Sequence, residues 1–160
     1  MLKITQKLSA PQTAATTLTL PFELRQKSRL KVTLDDGRPA GLFLERGDVL
    51  RGGDCLLAED NSIIQVQADA ETVSMVSSND ALLLARACYH LGNRHVPLQI
   101  TENTLSYLHD HVLDDMLRQL GLSVNTSQAP FEPESGAYGG SGSSHSHSST
   151  EPHKHPHTHD

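Results

Sequence analysis

Tryptophan is absent, and three Phe with three Tyr are the only large aromatics, so this chain has little bulk from which to build a core. Such domains often draw part of their stability from a dimer interface or a bound metal. Cysteine is scarce too: Cys55 and Cys88 stand far apart and form no Cys-x-x-Cys pair. Two isolated thiols make no disulfide framework, and a reducing cytoplasm is the expected setting. Cys88 falls on an apolar helical stripe, where a buried thiol acts as a small hydrophobe; the other reading is a metal-binding thiolate. No apolar run approaches a membrane span, and no apolar stretch behind Lys3 and Lys7 makes a secretory signal. Net charge is −6 with histidine neutral, and the basic residues are scattered rather than striped among aromatics. Neither a membrane nor nucleic acid is an expected partner.

Catalytic signatures are also missing. There is no His-Glu-x-x-His, no Gly-x-Ser-x-Gly elbow, no phosphate-binding loop and no Gly-x-Gly-x-x-Gly. Asp35-Asp36 reads as a turn, and Asp114-Asp115 as solvated helix residues. An enzyme is not expected.

The sequence is rich in histidine, with ten residues. His145, His147, His153, His155, His157 and His159 crowd the last stretch, behind a Gly/Ser-rich linker. That stretch has no aliphatic side chain to bury, so it cannot offset its ordering entropy and should be disordered. Neutral imidazole suits nickel, copper, zinc and iron, and suits calcium or magnesium poorly. His-x-His spacing on a flexible chain lets several rings converge on one ion. An affinity tag is usually an unbroken run, whereas Ser, Pro, Lys and Thr interrupt these histidines, which favours a natural metal-binding tail.

Ahead of the tail the chain changes grammar once. Residues 1–70 read as all-β: Leu30, Val32 and Leu34 alternate with polar residues, Asp35-Asp36-Gly37 signals a hairpin, and strands follow at 40–44 and 64–68. A small sandwich or barrel is expected. Residues 71–134 predict a strand at 72–76, then a helix capped by Asn79 with Ala81, Leu84, Ala85, Cys88 and Leu91 on its apolar face. Gly92-Asn93 should end that helix by taking the left-handed conformation. Strands at 96–100 and 104–108, a helix over about 110–120 stopped by Gly121, and a strand at 122–126 complete a β-α-β-β-α-β order. This is an α+β chain: a small all-β domain, a ferredoxin-like domain with one sheet face free for a partner or second subunit, and a tail over 135–160.

Four histidines lie within the folded part. His95 follows Gly92-Asn93-Arg94; one ring cannot hold a divalent ion, but two copies meeting at a two-fold axis could. His109 and His111 flank Asp110, sharing a face if the segment is extended and diverging if it is helical. Asp110 could equally cap the helix. His90 reads as a solvated surface residue.

The run Ala87-Cys88-Tyr89-His90-Leu91-Gly92-Asn93-Arg94-His95-Val96-Pro97-Leu98-Gln99-Ile100 closely resembles the central motif of the UreE urease accessory proteins, which are nickel metallochaperones. His109-Asp110-His111-Val112-Leu113-Asp114-Asp115-Met116-Leu117, Pro130-Phe131-Glu132-Pro133-Glu134 and Gly136-Ala137-Tyr138 extend the likeness, which covers the whole chain. The resemblance implies an N-terminal domain that binds peptide or partner protein and a ferredoxin-like metal-binding domain. It also implies a cytoplasmic homodimer holding one nickel ion between paired His95 residues, with further sites at His109 and His111. The cargo would be Ni(II), passed to the urease maturation complex, including its GTPase component, and to urease apoprotein. Zn(II) or Cu(II) can bind the same histidines, and copper binds such ligands more tightly. Two other readings are a metal buffer without a delivery partner, and a metal-dependent hydrolase with three converging ligands and a carboxylate base.

Overall fold

The alternation from Leu30 to Leu34 ends at Asp35-Asp36-Gly37, and there the chain reverses: Gly37 takes φ +90° and its N–H donates to the Leu34 carbonyl at 2.8 Å. A positive φ at that position is what glycine supplies without a Cβ clash. The strands on either side, β3 (Arg29–Thr33) and β4 (Pro39–Phe43), pair antiparallel. The computed structural model describes residues 1–136.

The other elements of the first half are β1 (Leu2–Lys7), β2 (Thr16–Leu20), a four-residue helix α1 (Phe22–Arg25), β5 (Cys55–Ala58) and β6 (Ile63–Ala68). They form one six-stranded sheet in the order β2-β6-β5-β1-β4-β3. Pairs β1/β4 and β2/β6 are parallel, and the rest are antiparallel. Its inward residues, among them Ile4, Leu18, Leu42, Leu56 and Ile64, are fully or almost fully buried. The edge strands β2 and β3 are pinned together where β3 ends. The Asp35 N–H donates to the Thr17 carbonyl at 3.0 Å. The Asp35 carboxylate accepts from the hydroxyls of Thr17 and Thr19 at 2.5 and 2.7 Å. The pin ties the two edges of one six-stranded sheet together, where a small sandwich or barrel was expected. The short helix α1 is the exception to an all-β reading.

The second half runs β7 (Ala70–Ser77), α2 (Ala81–Asn93), β8 (Gln99–Ile100), β9 (Thr104–Leu108), α3 (His111–Gln119) and β10 (Val124–Pro130). Its four-stranded sheet has the order β10-β7-β9-β8, with every pair antiparallel. Leu84, Ala87 and Leu91 of α2 and Leu113 and Leu117 of α3 pack with Val76, Leu105 and Tyr107 of the sheet. The expected order of elements holds, with four local corrections. The cap of α2 is Asp80, whose carboxylate accepts the Leu83 N–H, and not Asn79. The buried face of α2 is centred on Ala87, and Ala81 and Ala85 are exposed. The strand at 96–100 shrinks to two residues, while the final strand starts later and runs to Pro130. Asp114, read as solvated, is buried.

The two halves are joined by more than the chain between them. Phe22 and Phe131 meet edge to face, their ring centroids 5.6 Å apart, over Val73. Arg25 is fully buried beside them. Its guanidinium donates to the carbonyls of Leu20 and Leu50 at 3.0 and 3.1 Å, and also to the Phe131 carbonyl and the Glu132 carboxylate. Glu132 also accepts the Gly52 N–H, and its own N–H donates to Gln99 at 2.9 Å. Residues 131–134 thus form a strap, bonded to α1 and Gly52 of the first half on one side and to Leu98 and Gln99 of the second half on the other.

Candidate functional site

How α2 ends decides where His95 sits. The helix runs past Gly92-Asn93 to an Arg94 C-cap, and the left-handed residue is His95 itself, at φ +57°. The His95 N–H donates to the Gly92 carbonyl at 3.0 Å and the Val96 N–H to the Leu91 carbonyl at 3.3 Å. These are the paired bonds of a Schellman cap, and Val96 packs back on the cluster that contains Leu91. The end of α3 is built the same way, with bonds from Gly121 to Arg118 and from Leu122 to Leu117. There the left-handed residue is Gly121, at φ +95°. A residue with a Cβ pays about 1–2 kcal/mol in that conformation. At the end of α2 that place is filled by an exposed imidazole.

His95 borders a groove of about 680 Å³ between the halves, together with Pro97, Val49, Arg51, Asp48 and Glu134. The strap enters it through a bond from the Glu134 N–H to the Leu98 carbonyl at 2.7 Å. The last described residues, Ser135 and Gly136, line the same groove. The chain that continues into the histidine-rich stretch therefore leaves from the groove that His95 borders. His145, His147, His153, His155, His157 and His159 lie outside the described residues.

His109 and His111 stand at the opposite kind of helix end. Asp110 is both extended and the N-cap: φ is −151°, and its carboxylate accepts the N–H groups of Val112 and Leu113 at 2.8 and 3.3 Å. The capping role expected of Asp110 is thus the one it plays here. Asp110 itself is extended, but His111 is already the first residue of α3, so the segment is extended at Asp110 and helical from His111 onward. The helix N-terminus is partially positive, which disfavours a cation, and the capping carboxylate offsets that field. His111 is exposed.

The His109 ring is held. Its Nδ1 lies 3.1 Å from Asp114 Oδ2 and 3.1 Å from Ser74 Oγ. The Tyr107 hydroxyl donates to the other Asp114 oxygen at 2.6 Å. Burial pushes the Asp114 carboxyl up, but bonds from Ser74 and Tyr107 and the facing His109 and Arg118 outweigh it and hold the group below its usual value. Tyr107 is driven well above its usual value, first by burial and then by its bond to Asp114. Periodicity missed Asp114 because a charged residue was assigned to the wet face. The available signal was its place beside Leu113 and three residues before Leu117, on the edge of the apolar stripe.

His90 is exposed, edge to face with Tyr89 at 5.4 Å, as a surface residue should be. Burial pushes the Cys88 thiol up, away from the thiolate a metal would need. Among the described residues no three of His, Cys, Asp and Glu come together as a chelating group. No described helix is long and apolar enough to cross a membrane.

Comparison with known proteins places the chain in a family. Residues 2–69 match the N-terminal domain and residues 71–160 the C-terminal domain of the UreE urease accessory protein family. A protein named urease accessory protein UreE from Alkalilimnicola ehrlichii is 63% identical over 140 residues, covering 88% of this chain and 86% of its own length. A namesake from Citrobacter koseri is 58% identical over 139 residues, covering 86% of this chain and 91% of its own. One from Pseudomonas putida strain W619 is 58% identical over 139 residues, covering 86% of each chain. The class is thus an accessory protein of two domains, strand-rich and mixed α+β. The chain belongs to the UreE family.

Proposed function

We propose that this protein is a nickel metallochaperone: it binds Ni(II) as cargo through histidines and delivers it during maturation of urease. The observation that carries the proposal is His95 in the left-handed cap position. The chain tolerates backbone strain there, and strain of this kind gathers where a side chain is needed for function. One exposed imidazole cannot hold the ion alone. A homodimer that brings two copies of His95 together gives a two-nitrogen site with open positions for water, tail histidines or a receiving protein. Such a site protects the ion without caging it, and release follows when a partner offers more donors.

His145, His147, His153, His155, His157 and His159 act as a tethered reservoir. A short flexible linker gives an effective concentration of about millimolar at the site it reaches, and the groove at Gly136 sets that reach. His109 and His111 supply secondary ligands. Zn(II) and Cu(II) compete for the same nitrogens, so selectivity comes from geometry and supply rather than affinity. Protonated imidazole cannot coordinate, so loading weakens as pH falls below about 6.

In this reading residues 1–70 are the partner-binding domain, 71–134 a ferredoxin-like metal-binding and dimerisation domain, and 135–160 the tail. The sheet order β10-β7-β9-β8 supports the ferredoxin-like assignment. On the first sheet Phe43 and Met1 are exposed, and Lys3 and Lys31 flank Gly41 across the strands, which suits a docking face. The receiving partners are the urease maturation complex, with its GTPase component, and urease apoprotein. The setting is the cytoplasm, and no chemical step is catalysed.

Calorimetric nickel titration of the full chain, of His95→Ala and of a chain ending at Tyr138 tests the division of labour. His95→Ala should lose the tightest class of sites, and truncation should mainly lower capacity. If the tightest sites survive His95→Ala, the interface site is wrong. A buffer with no delivery partner would release nickel at the same rate with and without the maturation proteins. A chaperone would release it faster with them.

A further inference from the structure

We infer that Asp114, held in turn by Tyr107 and Ser74, is a positioning residue that turns the His109 ring so that Nε2 faces outward to a divalent cation. The inference rests on the reading of His109 as a ligand and adds the part that aims it. Asp114 occupies a helix position that packing would assign to an aliphatic residue, and its side chain is only 3% exposed. Burying a carboxylate is unfavourable unless its oxygens are hydrogen-bonded. Oδ1 accepts from the Tyr107 hydroxyl at 2.6 Å, and Oδ2 stands in electrostatic contact with His109 Nδ1, 3.1 Å away. The hydrogen bond at Nδ1 is with Ser74 Oγ, also at 3.1 Å, and with the ring proton on Nδ1 the serine oxygen accepts it. The four residues come from β7, β9, the segment behind β9 and α3, so the arrangement is braced by the sheet and a helix together. The imidazole is 41% exposed, and its inner nitrogen faces this cluster.

A neutral imidazole has one donor nitrogen and one acceptor nitrogen. An ionised carboxylate only accepts, so beside Asp114 the ring proton belongs on Nδ1. That leaves the Nε2 lone pair free and, by the geometry of a five-membered ring, pointing away from Asp114. A carboxylate behind the ring also makes the outer nitrogen a better donor, as outer-shell partners do for metal-bound histidines. His111, two residues on, has no such brace among the described residues. Of the pair, His109 is therefore the preset ligand, and His111 must be ordered by the ion.

Asp114→Asn tests the assignment, because an amide can donate to Nδ1 and so move the ring proton to Nε2, where it blocks coordination. The same inversion disables a catalytic histidine when its aspartate partner becomes asparagine. Nitrogen-15 imidazole spectra of the full chain, with the His109 signals identified by their loss in His109→Ala, should show Nδ1–H in the parent protein and Nε2–H in Asp114→Asn. Nickel affinity at the site lost in His109→Ala should fall about 10- to 100-fold in Asp114→Asn. Tyr107→Phe, which keeps the packed ring and removes only the hydroxyl, should lower it by less in the same direction. A purely structural Asp114 would move stability and leave the tautomer unchanged. A parent ring protonated on Nε2 overturns the inference. So does unchanged affinity in both variants where His109→Ala loses it, and that result spares the ligand reading. If His109→Ala itself keeps every nickel site, the ligand reading fails, and the aiming role fails with it.

Discussion

Replacing Arg25 with methionine should loosen the two halves from each other, and the structure sets the scale of the effect. The guanidinium is fully buried and donates to three carbonyls, those of Leu20, Leu50 and Phe131, and to Glu132. Methionine fills similar space and donates nothing. Breaking a buried ion pair by removing one partner costs about 3–5 kcal/mol. The Glu132 side chain is 31% exposed and keeps its bond from the Gly52 N–H, so water can solvate it and the low end applies. A loss of about 3 kcal/mol is roughly 100-fold in the folding equilibrium. For a chain of this size it lowers Tm by about 6–12 °C. Thermal unfolding followed by circular dichroism measures this, and limited proteolysis should find new cleavage in residues 131–134. Glu132→Gln in the Arg25→Met background should cost less than in the parent, with a coupling of about 1 kcal/mol or more. A loss for Arg25→Met below about 1 kcal/mol, or strict additivity of the two changes, would refute the strap.

The two helix caps make opposite predictions. His95→Gly should raise stability by about 1 kcal/mol over His95→Ala, while both lose nickel at the interface site; Gly121→Ala should lose about as much. Chemical denaturation of the three variants decides it, and a His95→Gly protein no more stable than His95→Ala removes the strain argument. Asp35 makes a prediction about acid. The Thr17 hydroxyl bond, with Thr19 assisting, holds its carboxyl below the usual value. Its contribution is therefore complete above the unfolded value near 3.9 and is lost as pH falls through the lower folded value. Asp35→Asn should accordingly narrow the gap in urea midpoint between neutral pH and about pH 3, and an unchanged gap contradicts the pin.

Local signals were readable in the sequence where one stretch of chain decides the outcome. The period-two run at Leu30–Leu34 and the glycine after Asp35-Asp36 gave the hairpin, and β9 was found at its full length. Gly121 was placed as the stop of α3 because a left-handed cap favours a residue without Cβ. The same rule misled at α2. Gly92 and Asn93 satisfied the preference, yet the helix runs through both to an Arg94 cap, and the left-handed turn falls on His95. Long-range pairings left no local mark: the parallel contacts of β1 with β4 and β2 with β6 join segments whose partners could not be read from either one. Asp114 was hidden for a related reason. The Tyr107 hydroxyl that donates to it and the His109 ring that faces it give it a polar place in the interior, and hydrophobic periodicity recognises no such place.

The strap also bears on the order of events when the chain is made. Arg25 and its partners Phe131 and Glu132 are 106 and 107 residues apart, so the first sheet emerges from the ribosome well before they exist. Until then the guanidinium has only the Leu20 and Leu50 carbonyls, and Phe22 lacks the ring that covers it. Domains generally fold as units during synthesis, and contacts this distant close late. The first half should therefore stay partly open until residues 131–134 arrive and lock it, just before the histidine-rich stretch follows. Assembly would then run from sheet to strap, and the groove that His95 borders would gain its last walls, Glu134 and Ser135, only when the strap closes.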